Sequence, residues 1–235
     1  PESMQNYPHN WAVNLVVIIL VVIGGLGWRV TSDLWSNRKH FSFRNLSLHS
    51  RLVIRTSLFL IALGSIGLLI TESIEQGSFF GSISWSERIL TSLFESVSAR
   101  TAGFTNMPLS INSISDSGLL LLMTLMFIGA SPGGTGGGIK TTTVAALMAA
   151  TRSTLRGQDD VVIRNRQISD KVVLKAVGIT VGSLLFVLAM ALLLSMTSIK
   201  GMDEPFSFLE MLFTCISAFA TVGSSDSRAT KSVTS

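Results

Sequence analysis

The sequence predicts an all-α membrane protein made of repeated helix–pore-loop–helix, channel-like modules, with re-entrant half-helices and one broken helix. Charged residues make up only 14% of the chain, whereas a typical soluble domain has about 25%. Mean hydropathy is +0.52. Long uncharged segments recur along the chain, and a membrane-spanning helix needs about 20 mostly apolar residues. A large soluble helical core is the alternative, which the length of these segments disfavours.

Four apolar segments are long enough, or nearly long enough, to be membrane-spanning helices. The second is charged only at its ends, and the third contains Lys140 as its one charged residue. In chain order they are residues 11–28, 55–72, 118–150 and 176–199. Two shorter amphipathic runs, residues 85–99 and 206–219, are too short to cross a bilayer. These runs are predicted to be half-helices that enter the membrane and turn back.

The loops between these segments alternate in charge. Residues 29–55 carry six basic side chains against one acidic side chain, and residues 152–175 carry six against three. Cytoplasmic loops of membrane proteins are enriched in Lys and Arg. The two basic loops are therefore predicted to be cytoplasmic, and the half-helices to enter a plasma (inner) membrane from outside. This topology explains the net charge of +4 without a nucleic-acid partner.

The order of the segments predicts an internal repeat. Residues 51–157 would be one complete helix–pore–helix unit, in which the features described below would supply a filter and a gating loop. Residues 1–50 would be the last helix of an earlier unit plus a cytoplasmic loop. Residues 158–235 would be a truncated further unit that ends after its filter.

Each half-helix closes on a similar glycine turn, at Gly103 and at Gly223. Irregular backbone at membrane depth is tolerated only where it lines a cavity or is buried in protein. Glycine adopts positive φ without steric cost, which lets successive carbonyls point one way. The C-terminal ends of the half-helices add carbonyl dipoles that favour a cation. The alternative to a pair of cavity-lining turns is that both glycines are ordinary left-handed C-caps of helices.

The turns therefore predict a cation filter made of backbone carbonyls. A Thr-Val-Gly turn lines the filter of potassium channels, and the second turn has that sequence, so the predicted ion is potassium. Arg100 precedes the first turn and is expected to brace it by pairing with Glu95 or Glu72, or else to extend to the outer surface. The predicted filter residues are Thr101, Ala102, Gly103, Ala220, Thr221, Val222 and Gly223.

A proline and five glycines interrupt the third apolar segment. They cannot continue a helix without a large cost, so residues 119–130 and 141–151 are predicted to be the halves of a broken helix. The loop between them is predicted to line the ion path as a gate, and Lys140 either takes part in gating or anchors the cytoplasmic side. The predicted gate residues are Ser131, Pro132, Gly133, Gly134, Thr135, Gly136, Gly137, Gly138 and Lys140.

A phosphate-binding loop is the competing interpretation of the same glycines. It requires Gly-Lys-Ser/Thr at its end and a preceding β-strand. Here Ile139 separates Gly138 from Lys140, and an apolar helix precedes the loop. Nucleotide binding by the loop is therefore disfavoured.

Four motifs resemble the Trk/Ktr/HKT superfamily of potassium uptake proteins, most closely the membrane (pore) subunit of the bacterial KtrB-like type. The most specific is the run Ser-Pro-Gly-Gly-Thr-Gly-Gly-Gly-Ile-Lys-Thr-Thr-Thr, at residues 131–143. The motifs lie at residues 24–27, 96–104, 129–143 and 217–223. The resemblance implies four channel-like repeats around one pore, with Gly103 and Gly223 as filter glycines and residues 131–140 as the gating loop.

The resemblance also implies potassium uptake by a non-enzymatic homodimer that binds no cofactor directly. It implies coupling to sodium and a cytosolic, nucleotide-binding regulatory ring of the KtrA-like type. The ring could dock on the two basic loops. The first repeat, most of the second and the last span are absent, so a fragment of a longer polypeptide is expected. A non-transporting structural fragment and a subunit of a nucleotide-driven cation pump, with residues 133–140 as its phosphate cradle, are the alternatives.

Overall fold

The computed structural model describes residues 4, 10–38, 43, 45–75, 79–100, 102–107, 114–158, 161–163, 166–198 and 207–224. Within those ranges the chain forms eight α-helices, one short 3-10 helix at Phe79–Ser82, and a hairpin of two-residue strands. In chain order the α-helices are α1 (Trp11–Leu26), α2 (Trp28–Ser36), α3 (Leu48–Ile74), α4 (Trp85–Ser98), α5 (Asp116–Phe127), α6 (Thr141–Leu155), α7 (Asp170–Ser198) and α8 (Phe208–Phe219).

In the part of the chain that the structure describes, two helices, α3 and α7, are long and apolar enough to cross a membrane by themselves. The pair α1 and α2 adds a third span only if it is counted as one helix, because the pair is bent by 100°. Large apolar side chains project outward from α7, among them Leu185, Phe186 and Leu193. Such a surface is typical of contact with lipid or with further apolar protein. The predicted helical membrane fold is confirmed.

Two features differ from the predicted elements. The first predicted span, residues 11–28, ends instead at Leu26, because Gly27 has a φ of 81° and turns the chain. A side chain at Gly27 would also meet the glycine-rich loop, with an added Cβ 2.7 Å from the Pro132 carbonyl oxygen. The second difference is the antiparallel hairpin of β1 (Val162–Ile163) and β2 (Arg166–Gln167), which lies in the second basic loop.

Both half-helices begin with the same reciprocal capping arrangement. The backbone N–H of Ser84 donates to Glu87 at 2.9 Å ahead of α4, and that of Ser207 donates to Glu210 at 2.8 Å ahead of α8. A capping box of this kind satisfies donors that the first helical turn leaves without partners. Local sequence therefore fixes where each half-helix starts.

Small residues let α3 pack closely against α4 and α5. A Cβ at Gly64 would clash with the side chains of Ser96 and Leu125. The Ser96 hydroxyl donates to the Ile61 carbonyl at 2.8 Å. Small side chains and interhelical hydroxyl bonds are typical of helix contacts inside membranes. Through this packing, the C-terminal half of α4 is buried against α3.

The second half-helix, α8, is held by an apolar cluster that it shares with α5. Leu122 and Met126 of α5 lie in the same buried cluster as Phe213 and Ile216 of α8. The rings of Phe127 and Phe219, at the ends of these helices, have centroids 5.9 Å apart. The ends of α5 and α8 therefore meet, and the glycine-rich loop that follows α5 begins beside the turn that follows α8.

Candidate functional site

The first bend is the segment after α4, residues 99–104, of which Thr101 lies outside the described residues. The Ala102 N–H donates to the Ser98 carbonyl at 2.9 Å, and the Ser98 hydroxyl donates to the Phe104 carbonyl. Gly103 has a φ of 72°, in the left-handed region that favours glycine. The chain therefore reverses direction within a few residues of the helix end.

The second bend is the segment after α8, residues 220–224, and it repeats the arrangement of the first. The Val222 N–H donates to the Ser217 carbonyl at 2.9 Å, and the Ser217 hydroxyl donates to the Ser224 carbonyl at 2.6 Å. Gly223 has a φ of 80°. In both bends a serine in the last turn of the half-helix holds the carbonyl that directly follows the glycine. The dipeptide Ser-Ala in both sequences was the signal that could have indicated these serines.

The two bends lie against each other. The Ser224 hydroxyl donates to the Gly103 carbonyl at 3.4 Å. A Cβ added to Gly103 would overlap the Val222 carbonyl oxygen. The structure therefore brings Gly103 together with Val222 and Gly223 of the predicted filter.

A buried carboxylate fixes the chain that leaves the first bend. Glu95 of α4 is 3% exposed, and it accepts hydrogen bonds from the Thr105 hydroxyl at 2.7 Å and the Asn106 N–H at 3.0 Å. The Asn106 side chain in turn donates to Asn14 of α1 at 3.2 Å. Buried carboxylates need such donors, and here the donors come from the segment just after the bend.

Among the described residues Arg100 pairs with no carboxylate, so the predicted pairing with Glu95 or Glu72 is wrong. Its guanidinium donates to the carbonyl and the hydroxyl of Ser57 and to the Gly129 carbonyl, each at 3.4 Å. Glu95 is already engaged by the exit of the bend, and Glu72 accepts from Ser115 at 2.6 Å. The side chain is 7% exposed, which also excludes the alternative of extension to the outer surface. Arg100 thus connects the first bend to α3 and to Gly129, which lies between α5 and the glycine-rich residues 131–140.

We expect Glu95→Ala to destabilise the first bend measurably. The substitution leaves the buried Asn106 N–H without its Glu95 acceptor, which costs about 1–3 kcal/mol, whereas the Thr105 hydroxyl keeps the Met107 carbonyl at 2.6 Å. The thermal midpoint of the detergent-purified transporter polypeptide that contains this chain should fall by several degrees. Glu95→Gln keeps a carbonyl acceptor and should lower the midpoint less. A midpoint unchanged in Glu95→Ala would contradict this role.

The glycine loop, residues 131–140, is attached to the bend between α1 and α2. The Ser131 N–H donates to the Gly25 carbonyl at 3.1 Å, and the Trp28 N–H donates to the Gly133 carbonyl at 3.3 Å. Its base is closed by the Ile139 N–H, which donates to the Phe127 carbonyl at 2.9 Å. The predicted broken helix is thus a pair of helices, and the glycine loop connects the C-terminal end of α5 to the N-terminal end of α6.

The loop also reaches the second bend. The Gly137 N–H donates to the Ala220 carbonyl at 3.2 Å and to the Thr221 hydroxyl at 2.8 Å. Lys140 folds back, and its ammonium donates to the Gly136 carbonyl inside the loop. The predicted gate and part of the predicted filter are therefore in direct contact.

Sequence reasoning missed several residues that shape this site. Ser98 and Ser217 hold the bends, and Glu95 holds the exit of the first. Their partners are mostly backbone groups of loop residues, which leave no pattern in the sequence. Local hints were the Ser-Ala dipeptide at the end of each half-helix and the hydroxyl residue Thr105 just after the first turn.

The comparison with known protein families assigns the chain. The model of the TrkH family, described as "Cation transport protein", matches residues 1–234. This chain belongs to the TrkH family of cation transport proteins. The family is one of membrane transport proteins rather than enzymes, and the predicted superfamily is confirmed.

Individual relatives of this TrkH-family chain are potassium or sodium uptake proteins by name. It is 33% identical over 223 residues to Ktr system potassium uptake protein B of Bacillus subtilis (strain 168), covering 95% of this chain and 47% of the relative. It is 31% identical over 213 residues to potassium/sodium uptake protein NtpJ of Enterococcus hirae, covering 89% and 44%. The chain spans about half the length of these relatives.

A solved structure shares the fold of this TrkH-family chain. The crystal structure of the potassium transporter TrkH from Vibrio parahaemolyticus superposes with a TM-score of 0.63 at 18% sequence identity. The likeness covers 94% of this chain and 47% of that one. At this identity the likeness shows the fold alone.

Proposed function

We propose that this chain forms part of a potassium uptake pathway, in which its two bends supply backbone carbonyls to a selectivity filter. The contact between Gly103 and the second bend carries the proposal, because a shared filter needs both turns at one place. Potassium would exchange its water for the carbonyls of residues 101–103 and 220–223. The remaining sides of the filter would come from elsewhere in the polypeptide.

Physical features of both half-helices support a cation at this place. The ends of α4 and α8 that point toward the bends are C-terminal, where helix dipoles place partial negative charge. Positive φ at Gly103 and Gly223 turns the backbone sharply without a side-chain clash. Irregular backbone in a chain with spanning helices is tolerated where it is buried in protein or lines a cavity.

The glycine loop is the proposed gate of this pathway. Its predicted residues, from Ser131 to Gly138 with Lys140, lie between α5 and α6, and the loop contacts the second bend through Gly137. Glycine-rich backbone has few side-chain contacts to break, so displacement of the loop would cost little. The ammonium of Lys140 on the Gly136 carbonyl supports a part in shaping the loop over a plain anchoring role.

The family and the charge pattern support a proposal for the wider assembly. The transporter would be a plasma (inner) membrane homodimer, with its filter bends toward the outside and its two basic loops toward the cytoplasm. A cytosolic nucleotide-binding regulatory ring would dock at those loops. Coupling to sodium is included because one relative is named a potassium/sodium uptake protein.

A phosphate cradle at residues 133–140 is not favoured by the local geometry. Two N–H groups of the loop are already used, since Gly134 donates to Ser131 and Gly137 donates to the second bend. Lys140, which would contact a phosphate, donates to the Gly136 carbonyl. A phosphate-binding loop instead directs several free N–H groups at its ligand.

Complementation tests the proposed function. A bacterial strain that lacks its own potassium uptake should grow at low potassium when it expresses the transporter polypeptide that contains this chain. The chain alone should fail, because it supplies only part of the filter. Uptake measured with and without external sodium tests the coupling.

Two results would reject the assignment. Failure of the containing polypeptide, despite normal amounts in the membrane, would favour a structural role without transport. ATP binding by the isolated membrane subunit, abolished by Lys140→Ala, would favour the nucleotide-driven alternative.

A further inference from the structure

One backbone donor of the glycine loop is shared by two acceptors of the second bend. The Gly137 N–H lies 3.2 Å from the Ala220 carbonyl oxygen and 2.8 Å from the Thr221 hydroxyl oxygen. A Cβ added to Gly137 would lie 2.7 Å from the Ala220 carbonyl oxygen. The Gly137 N–H therefore occupies the place between these two oxygens where an ion bound to both of them would lie.

Thr221 holds an unusual conformation at this contact. Its φ of 56° is positive, which is an outlier for a β-branched residue. Strained residues of this kind persist where the surrounding structure holds them, and they concentrate at functional sites. In this conformation the Thr221 hydroxyl and the Ala220 carbonyl converge on a single donor.

We propose that the Gly137 N–H and a permeating potassium ion compete for the Ala220 carbonyl and the Thr221 hydroxyl. Both oxygens are ligands of the kind that replace water around potassium. When no potassium ion is bound, the N–H can donate a hydrogen bond to these oxygens. The inference rests on the proposed function, because it takes the second bend as part of the filter. It adds that the loop and the ion exclude each other at the end of the filter that the loop touches.

Competition makes the transported ion a regulator of its own gate. If potassium lowers the occupancy of the loop on the bend, the seated loop must by reciprocity lower the affinity of that end of the filter for potassium. The loop would then stay seated when potassium is scarce at this end and leave when potassium arrives. A cation too large to reach these oxygens would have no such effect.

Thiol accessibility of the loop measures this competition directly. Ser131 is fully buried, so Ser131→Cys in a Cys215→Ser background reports when the loop leaves its seat. The probe is a water-soluble methanethiosulfonate reagent, applied to the containing polypeptide in proteoliposomes in either potassium chloride or choline chloride. Potassium should speed the modification about fivefold, the factor that corresponds to the loss of one typical hydrogen bond.

Two substitutions that add the same methyl group provide the test and its control. In the Gly137→Ala variant the loop cannot pack against Ala220. The thiol at position 131 should therefore be modified rapidly in both potassium chloride and choline chloride. Gly24→Ala adds a Cβ with no atom within 4 Å, and it should keep the potassium dependence. If Gly137→Ala does not fold, Thr221→Val, which keeps the shape and removes the hydroxyl, should raise the rate in choline, whereas Thr221→Ser should not.

The outcomes separate this inference from the function on which it rests. Equal modification rates in potassium and choline, in a reporter protein that still takes up potassium, would overturn the competition and leave the uptake function standing. Loss of the potassium effect in Gly24→Ala as well as in Gly137→Ala would also overturn it. Absence of potassium uptake by the unsubstituted protein would instead overturn the proposed function.

Discussion

Gly103→Ala should lower potassium uptake by about a hundredfold. The added methyl group would overlap the Val222 carbonyl oxygen, and the residue would keep a φ of 72°. Overpacking typically costs about 1–3 kcal/mol, and a left-handed conformation costs a residue other than glycine about 1–2 kcal/mol. A combined cost of about 3 kcal/mol corresponds to a factor of about one hundred. The loss should include selectivity for potassium over sodium, because the carbonyls of both bends must move.

Gly223→Ala is the matched control for this substitution. Gly223 has a similar φ of 80°, but no atom lies within 4 Å of its added Cβ. Only the cost of the left-handed backbone conformation remains, so the rate of potassium uptake should fall by about tenfold or less. Initial rates of potassium uptake into potassium-depleted cells, normalised to the amount of transporter in the membrane, provide the measurement. Equal losses in the two variants would contradict the close contact between the bends.

Deletion of residues 131–138 should raise potassium flux by about tenfold or more. Three backbone hydrogen bonds seat the loop, through Ser131, Gly133 and Gly137, and each contributes about 0.5–1.5 kcal/mol. Without these hydrogen bonds, nothing in the loop favours the closed state of the proposed gate over the open state. The deletion is feasible because the Ile139 N–H and the Phe127 carbonyl already meet at the base of the loop.

The deletion requires a control that shows where the ions pass. Combined with Gly103→Ala, the deletion should give low flux again, because the filter lies in series with the gate. High flux in the combined variant would indicate a leak that bypasses the filter. Unchanged flux in the deletion alone, measured as the initial rate of uptake in proteoliposomes, would reject the loop as a gate.

Helix positions were largely predictable because their causes are local. Apolar runs indicated α3 and α7, and a proline with five glycines indicated the break between α5 and α6. Capping boxes mark the starts of both half-helices. The bend at Gly27 was not predictable, because Gly24, Gly25 and Gly27 offer equivalent local freedom. The contact of Gly27 with Pro132 and Gly134 selects that glycine.

Charge pairing was predicted poorly for a physical reason. The sequence predicts that Arg100, next to the first bend, pairs with Glu95 or Glu72. Each instead found neutral partners from loops or from α3. Buried charges can be stabilised by hydroxyl and backbone groups as well as by opposite charges, and the sequence does not indicate which of these a fold will bring near.

The sequence by itself determined that this chain is a helical membrane protein of a cation transport family, with two glycine turns and one glycine-rich interruption. Hydrophobicity, capping and backbone freedom depend on residues that are close together in the chain, so short segments of sequence are enough to predict them. Only the tertiary structure placed the two bends in contact and seated Gly137 on Ala220 and Thr221. Those contacts join residues far apart in the chain, and they depend on the packing of α5 against α8 and of α4 against α3.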